Sequence, residues 1–404
     1  MIRIGLIGKT NTGKTTFFNA ATLQSAKIST YPFTTKRPNI GIAYVQTICP
    51  CREMKVKDTP VNSRCVSGWR FIPIQLIDLP GLIKGAAVGR GLGNQFLNVA
   101  SQADALLHIV DASGGIDEEG RISKPGMGNP VLDIHDIEEE IVMWFAAAVR
   151  RTFRRVAKRM ARGRRVLEEV LADELAGLKV NVKQVKNALG AANLESKAVE
   201  RWKEDDVREF SQRLRFSSKP TIIIANKMDL PFSDKFLDNM VEEFKESVVV
   251  PCCSEAELAL RRAEEKGFVE YVPGEETFRV VDQSRLTKEQ LWALNYVQQR
   301  VLSKWLRTGV QFALNLCVFK LLGMNSIYPV ENERTLSDRK GNVLPDVFLL
   351  PPMATARDLS EQIHSDLAKS MLYALDARTG VRLPNDYLLH DRDILKIVSA
   401  TKRK

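Results

Sequence analysis

Residues Gly8-Lys9-Thr10-Asn11-Thr12-Gly13-Lys14-Thr15 fit the pattern G-x-x-x-x-G-K-[ST], directly after the apolar run Ile2 to Ile7. A short buried strand before the loop and a helix pattern after it are the context this motif requires. Gly8 and Gly13 let the backbone wrap a triphosphate, with the N–H groups from Asn11 and Thr12 through Thr16 turned inward. The helix that follows adds its positive dipole end. Lys14 is placed to reach the β- and γ-phosphates, and the Thr15 hydroxyl to hold Mg²⁺.

Three further segments narrow the chemistry. Ile74 to Gly81 is an apolar strand ending in Asp78-Leu79-Pro80-Gly81, the string D-x-x-G. Asp78 would meet Mg²⁺ through water, and the Gly81 N–H the γ-phosphate. Thr221 to Ala225 is a second apolar strand, ending in Asn226-Lys227-Met228-Asp229, the string N-K-x-D. The Asp229 carboxylate can accept two hydrogen bonds from the N1 and N2 groups of guanine. Adenine offers no such donor pair, and a polar group left unpaired against the wrong base costs about 1–3 kcal/mol. Between the P-loop and D-x-x-G lies Tyr31-Pro32-Phe33-Thr34-Thr35. Thr34 or Thr35 is expected to complete the Mg²⁺ shell. Lys14, Thr15, Thr35 and Gly81 are the residues expected to carry catalysis.

The order P-loop, Y-P-F-T-T, D-L-P-G, N-K-M-D resembles the Obg/YchF superfamily of translation-factor GTPases. The run from Gly81 through Gly85, Gly89, Gly91 and Gly93 to Leu97 looks like the glycine-rich second switch of YchF, also called Obg-like ATPase. Ala103 to Ser113 matches the strand after it, and the archaeal branch is the nearest likeness. Bacterial and eukaryotic YchF proteins have lost N-K-x-D and favour ATP. This chain keeps the motif, so GTP is expected here. Where the family has Ser-Ala for the last base contact, this chain reads Cys252-Cys253-Ser254 before Glu255-Ala256-Glu257-Leu258. Either Ser254 is that serine, or Cys253 takes its place and Ser254 the alanine's.

The 404 residues suggest two or three domains. A formal charge of +10 is compatible with an anionic partner such as ribosomal RNA. Six cysteines without a regular disulfide pattern suit a reducing cytosol. The first residues enter a core strand at once, so no signal peptide is expected. The longest apolar stretch, Val310 to Leu322, carries Gln311, Asn315 and Lys320 and is too short to span a bilayer. A cytoplasmic monomer is expected.

The α/β, doubly wound nucleotide-binding G domain is read over residues 1–132 and 219–284, with linking helices over 285–322. A helical insertion over 133–218 follows 3–4 spacing at Ile134, Ile137, Ile141, Phe145, Val149, Phe153, Val156 and Met160. It sits where YchF proteins carry their coiled-coil-like insert. Arg150, Arg154, Lys158 and Arg162 form one basic stripe on it, and Arg151, Arg155 and Arg159 a second, roughly opposite the apolar face. RNA or ribosome contact through phosphates is one reading. A solvated face paired with Glu138 to Glu140 and Glu168 to Glu169 is the other. Residues 323–404 resemble a TGS domain, a β-grasp module, through Thr355-Ala356-x-Asp358, Ile363-His364-x-Asp366-Leu367 and Asp391-x-Asp393. Thr355 to Asp358 also reads as a capping box.

Cys49, Cys51 and Cys65 lie between Y-P-F-T-T and D-L-P-G. They are part of a zinc site or unligated thiols of a short hairpin. No histidine precedes His108, and Asp58 is the nearest candidate for a fourth ligand. Leu82 stands where Ras-like GTPases carry a water-orienting glutamine, so intrinsic turnover should be slow or rely on other groups. Asn11 occupies a position at which several related GTPases bind K⁺; it either helps hold that ion between phosphates or braces the loop. The whole reads as a ribosome-linked, Mg²⁺-dependent GTPase switch. The alternatives are an ATPase of the same fold and an RNA-binding protein that keeps nucleotide as a structural ligand.

Overall fold

The computed structural model describes residues 1–26, 38–81, 100–163 and 165–400. Thr34, Thr35, Leu82 and the run from Gly85 to Gly93 lie outside the described residues. The chain forms two compact units, residues 3–41 with 75–313, and residues 1–2 with 42–74 and 314–404. In chain order the first strands are β1 (Arg3–Ile7), β2 (Asn39–Ile48), β3 (Arg64–Val66), β4 (Trp69–Asp78), β5 (Ala105–Asp111), β6 (Thr221–Asn226) and β7 (Val249–Pro251).

The larger unit is organised by parallel strands in the order β4-β1-β5-β6-β7. Leu6 pairs with Asp78, Ile7 with His108, Asp111 with Asn226 and Ala225 with Pro251. These registers bring the carboxyl ends of the strands level, and each motif begins where its strand stops. From β1 the chain passes to β4 on one side, while β5 flanks the other, so the P-loop sits at the point where strand order reverses. All seven residues of β5 are buried, as expected of a parallel strand covered on both faces.

The insertion is helical, over Pro130–Met160, Leu167–Glu174, Val182–Ala191 and Glu204–Ser218. Its first helix starts at Pro130, with the Asn129 side chain accepting from the N–H groups of Val131 and Leu132. Ile134 is buried in a cluster with Val110 and Ile223, while Ile137, Ile141, Phe145, Val149 and Val156 are buried in another core, on which Phe153 and Met160 pack. Trp202 seals that core with edge-on contacts to Phe153 and Phe210. Arg215 has no exposed surface; it pairs with Glu138 at 2.7 Å and donates to Lys219 O and Thr221 Oγ1. That fan of bonds ties two insertion helices to the start of β6.

After a two-stranded hairpin, β8 (Val269–Glu270) with β9 (Arg279–Val280), the smaller unit takes up β10 (Asn325–Pro329), β11 (Phe348–Leu350), β12 (Met371–Asp376), β13 (Arg382–Leu383) and β14 (Ile394–Ser399). The order is β11-β10-β14-β12-β13, with β10 parallel and β12 antiparallel to β14. Thr355 and Asp358 form the expected capping box at the Ala356–Ile363 helix. This is the β-grasp plan.

Residues 42–74 belong to the same unit. There the Thr59 N–H donates to Val343 O at 2.9 Å and the Val61 N–H to Pro345 O at 2.7 Å. Asn62 exchanges two bonds with the Val347 backbone. No helix among the described residues is long and apolar enough to cross a membrane.

Candidate functional site

The P-loop turns on three residues with positive φ, Gly8 at 141°, Asn11 at 62° and Gly13 at 97°. A side chain at Gly13 would put Cβ 2.3 Å from Asn226 Nδ2, so glycine is required there by conformation and by space. The helix α1 (Lys14–Thr22) starts on Gly13 without a side-chain cap, which leaves its first N–H groups directed at the loop. Thr16 sits in that first turn.

Lys14 is buried against its own loop. Its Nζ donates to Gly8 O at 3.1 Å and Lys9 O at 2.5 Å. Burial lowers its pKa to about 8, opposed by the carboxylate of Asp78. Asp78 is itself raised by burial, against the influence of Lys14, Thr15 and Asn39. Thr15 Oγ1 donates to Asp78 Oδ2 at 2.8 Å, and Asn39 Nδ2 to the same oxygen at 3.0 Å. Asp78 Oδ1 is buried with no hydrogen-bond partner among the described residues. A hydroxyl beside an unsatisfied buried carboxylate oxygen is a donor set that suits a hard divalent cation. Gly81 lies against the loop, where a Cβ would come within 2.6 Å of Thr10 Cγ2.

Asn226 joins the two halves of the site. Its Nδ2 donates to Thr12 O at 2.8 Å, and its Oδ1 accepts from the N–H and hydroxyl of Ser254 at 3.0 and 2.9 Å. Lys227 pairs with the buried Asp111 at 2.6 Å. Cys253 Sγ donates to Asp229 Oδ1 at 3.1 Å. In the folded chain Cys253 faces the acid of N-K-x-D, and Ser254 its asparagine. Burial, and the Asp229 carboxylate beside it, hold the Cys253 thiol well above its usual pKa, so it remains a donor.

Several residues of the site were not singled out in the sequence. Tyr296 reaches from the Lys288–Tyr296 helix, its OH 3.3 Å from Asp229 Oδ2, and stacks on the exposed Trp292. A cleft of about 520 Å³ opens there, lined by Asp229, Phe232, Tyr296, Arg300 and Lys304 among others. Lys9 is buried and pairs with Asp133 at 2.6 Å, which fastens the P-loop to the first insertion helix. Asn11 Nδ2 donates to Gly120 O at 2.9 Å, a bond of the bracing kind. Neither Tyr296 nor Asp133 lies in a recognisable motif, so only their place in the fold marks them.

The basic stripes are divided by their partners. Arg150 pairs with Glu204. Arg155 pairs with Glu174, and Arg159 with Asp173 and Glu174, all on the next helix. Two of the acids proposed from sequence are engaged elsewhere: Glu138 pairs with Arg215 and Glu139 with Arg208. Arg151, Arg154, Lys158 and Arg162 are exposed and make no ion pair with a described residue. Far from these helices in sequence, Cys49, Cys51 and Cys65 converge with Asp58, their ligand atoms all within 4.8 Å of one another.

Three family models match the chain. They are described as a 50S ribosome-binding GTPase over residues 3–132, an Obg-like GTPase YGR210-like, G4 motif-containing domain over 224–332, and a TGS domain over 339–399. An uncharacterized GTP-binding protein of Methanocaldococcus jannaschii is 42% identical over 402 residues, covering 100% of both chains. The ribosome-binding ATPase YchF of Escherichia coli O157:H7 is 32% identical over 65% of this chain and 69% of its own length. The crystal structure of a GTP-binding protein from Pyrococcus horikoshii OT3 superposes with a TM-score of 0.79 at 35% identity, covering 99% of this chain and all of that one.

Proposed function

The chain belongs to the Obg-like, YchF-type family of P-loop GTPases, and from that premise we propose that it is a GTP-selective hydrolase acting as a ribosome-linked switch in the cytoplasm. The observation that carries the base choice is Asp229, set at the end of β6 with Asn226 tied to both the P-loop and Ser254. In this reading each Asp229 oxygen has a lone pair left for a guanine donor, and Lys227 lines the base. Gly8, Asn11, Thr12, Gly13, Lys14, Thr15 and Thr16 enclose the phosphates.

Mg²⁺ would be held by Thr15 and Asp78, with Thr34 or Thr35 completing its shell, and it would neutralise charge between the β- and γ-phosphates. Lys14 and the Gly81 N–H then stabilise the γ-phosphate as negative charge shifts during cleavage. No polar side chain follows Gly81, since residue 82 is leucine, so basal turnover is slow. Asn11 assists a K⁺ ion only if exchange of K⁺ for Na⁺ changes that rate.

The working division is a G domain over 1–132 and 219–284, an insertion over 133–218, linking helices over 285–322 and a TGS domain over 323–404. The exposed basic residues of the insertion make the contact with ribosomal RNA. The name of the E. coli relative supports the ribosome and, equally, raises ATP as the competing substrate.

The test is titration of the purified protein with GTP and with ATP, followed by phosphate release with and without ribosomes. GTP bound at least tenfold more tightly, with multiple turnovers, supports the proposal. Equal affinities would sink the GTP selectivity, and tighter binding with turnover of ATP would make the protein an ATPase of the same fold. A single bound nucleotide that never turns over makes it an RNA-binding protein with a structural ligand.

A further inference from the structure

The three cysteines between residues 42 and 74 are separated by as many as sixteen positions, yet the smaller unit brings them together. Cys49 precedes the short helix α2 (Pro50–Met54), Cys51 lies inside it, and Cys65 is on β3. Cys51 Sγ and Cys65 Sγ are 3.8 Å apart, and Cys49 Sγ is 3.2 Å from Asp58 Oδ2. Around a zinc ion with Zn–S of about 2.3 Å, a tetrahedral S···S edge is about 3.8 Å and an S···O edge about 3.6 Å. Two of the six edges therefore match such a tetrahedron to within about 0.4 Å, and all four ligand atoms lie within 4.8 Å of one another.

The surroundings suit the charge. Three thiolates and a carboxylate around a divalent ion carry a net charge of −2. Arg70, with no exposed surface, sits at 3.0 Å from Asp58 Oδ2. Its other bonds run to Ser63 Oγ and Leu344 O, and its guanidinium lies over the Tyr328 ring. A buried cation that orients the carboxylate ligand is the outer-shell arrangement that metal sites use. Cys49 and Cys51 are buried, and all four positions are protein ligands, so the arrangement is closed rather than catalytic.

We propose that Cys49, Cys51, Asp58 and Cys65 form a structural site for a thiophilic divalent cation, with zinc as the occupant. The ion fixes the loop from Cys49 to Cys65, whose residues 59–62 bond the backbone at 343–347 within the same unit. It thereby braces the β-grasp unit and takes no part in nucleotide chemistry. The same sulfurs offer one competing arrangement, a Cys51–Cys65 disulfide, which requires closing 3.8 Å to about 2.05 Å.

The test uses the full chain, purified under reducing conditions without chelator. Elemental analysis should find about one zinc per chain. A thiol-reactive dye should gain three reactive cysteines when a chelator is added. Replacement of the metal by Co²⁺ should produce the intense visible and near-ultraviolet bands of tetrahedral thiolate coordination. Cys65→Ser should lose most of the metal and Cys317→Ala none. Ferrous iron at the same stoichiometry would support the site and reassign its ion. The cobalt spectrum is read on the wild-type protein, so it stands even if Cys65→Ser does not fold. Absence of a thiolate–cobalt band at stoichiometric Co²⁺, a Cys51–Cys65 disulfide in the mass spectrum, or wild-type metal content in folded Cys65→Ser would overturn the proposal.

Discussion

At Asp229 two protein donors, the Cys253 thiol and the Tyr296 hydroxyl, each approach a different carboxylate oxygen. They orient the carboxylate without consuming its acceptor capacity. Asp229→Asn should therefore weaken GTP binding at least tenfold, about 1.4 kcal/mol, and shift preference toward xanthosine triphosphate, whose base accepts where guanine donates. Competition binding with GTP and xanthosine triphosphate reads both effects, and unchanged GTP affinity would remove Asp229 from base recognition.

Lys14 supplies a second residue-scale test. Its folded pKa is about 8, lowered by burial from 10.5. Below pH 8 both folded and unfolded chains hold the proton, so the cost of burying the ammonium is fully present. Between about pH 8 and 10.5 the folded protein releases a proton that the unfolded chain keeps, so stability rises with pH, by on the order of 3 kcal/mol at most. Lys219, lowered likewise to about 8, adds the same trend, so the comparison must be with Lys14→Met. Measured by denaturant unfolding without nucleotide from pH 7.5 to 9.5, wild type should gain on Lys14→Met. The variant should also fail to bind nucleotide. A constant difference across that range would show that the Lys14 charge is not penalised.

At the scale of elements, the long Pro130–Met160 helix serves two purposes with adjacent arginines. Arg155 and Arg159 reach across to Asp173 and Glu174 and hold the helical pair together. Arg151, Arg154, Lys158 and Arg162 face solvent. Reversing charge at Arg155 and Arg159 places like charges beside two acids, so it should lower the melting temperature, and more so at low salt. Reversing Arg151, Arg154, Lys158 and Arg162 should leave melting and basal hydrolysis unchanged. That second variant should lose salt-sensitive association with ribosomes, because each phosphate contact contributes roughly 0.7 to 0.9 to the log–log salt slope. Sedimentation with ribosomes across a salt series separates the two, and an unchanged slope would mean the four residues are a solvated face.

For the molecule as a whole, the consequential fact is that residues 42–74 and 314–404 form one compact unit despite the sequence distance between them. Arg70 finds its backbone partner at Leu344, and Thr59 and Val61 find theirs at Val343 and Pro345. A chain stopped at residue 322 should therefore leave residues 42–74 without the strands and turns they bond within their own unit. Arg70 would lose the Leu344 carbonyl, and the loop from Cys49 to Cys65 would lose its backbone partners. Limited proteolysis should cut the truncated protein within residues 50–68 at least tenfold faster than the full chain. Equal cleavage rates would show that the loop holds its shape alone.

The parts of this protein legible in its sequence are those written in local spacing. The P-loop, D-x-x-G and N-K-x-D each sit at the end of an apolar strand, and the parallel registers then set them side by side. The apolar face of the first insertion helix follows from a 3.6-residue period, and the Thr355 capping box from four adjacent residues. Other features needed the folded chain, because they join residues whose separation no short pattern records. Glu174 and not Glu168 or Glu169 answers Arg155, since the turn between helices sets which face of the second one is near. Cys253 points at Asp229 and Ser254 at Asn226 because the strand-to-helix turn after β7 aims successive side chains in different directions. Tyr296 arrives beside Asp229 from a helix that carries no motif. Asp58 is already the nearest candidate for a fourth ligand by sequence, but only the folding of β3 and α2 brings its carboxylate within 4.8 Å of the three thiols.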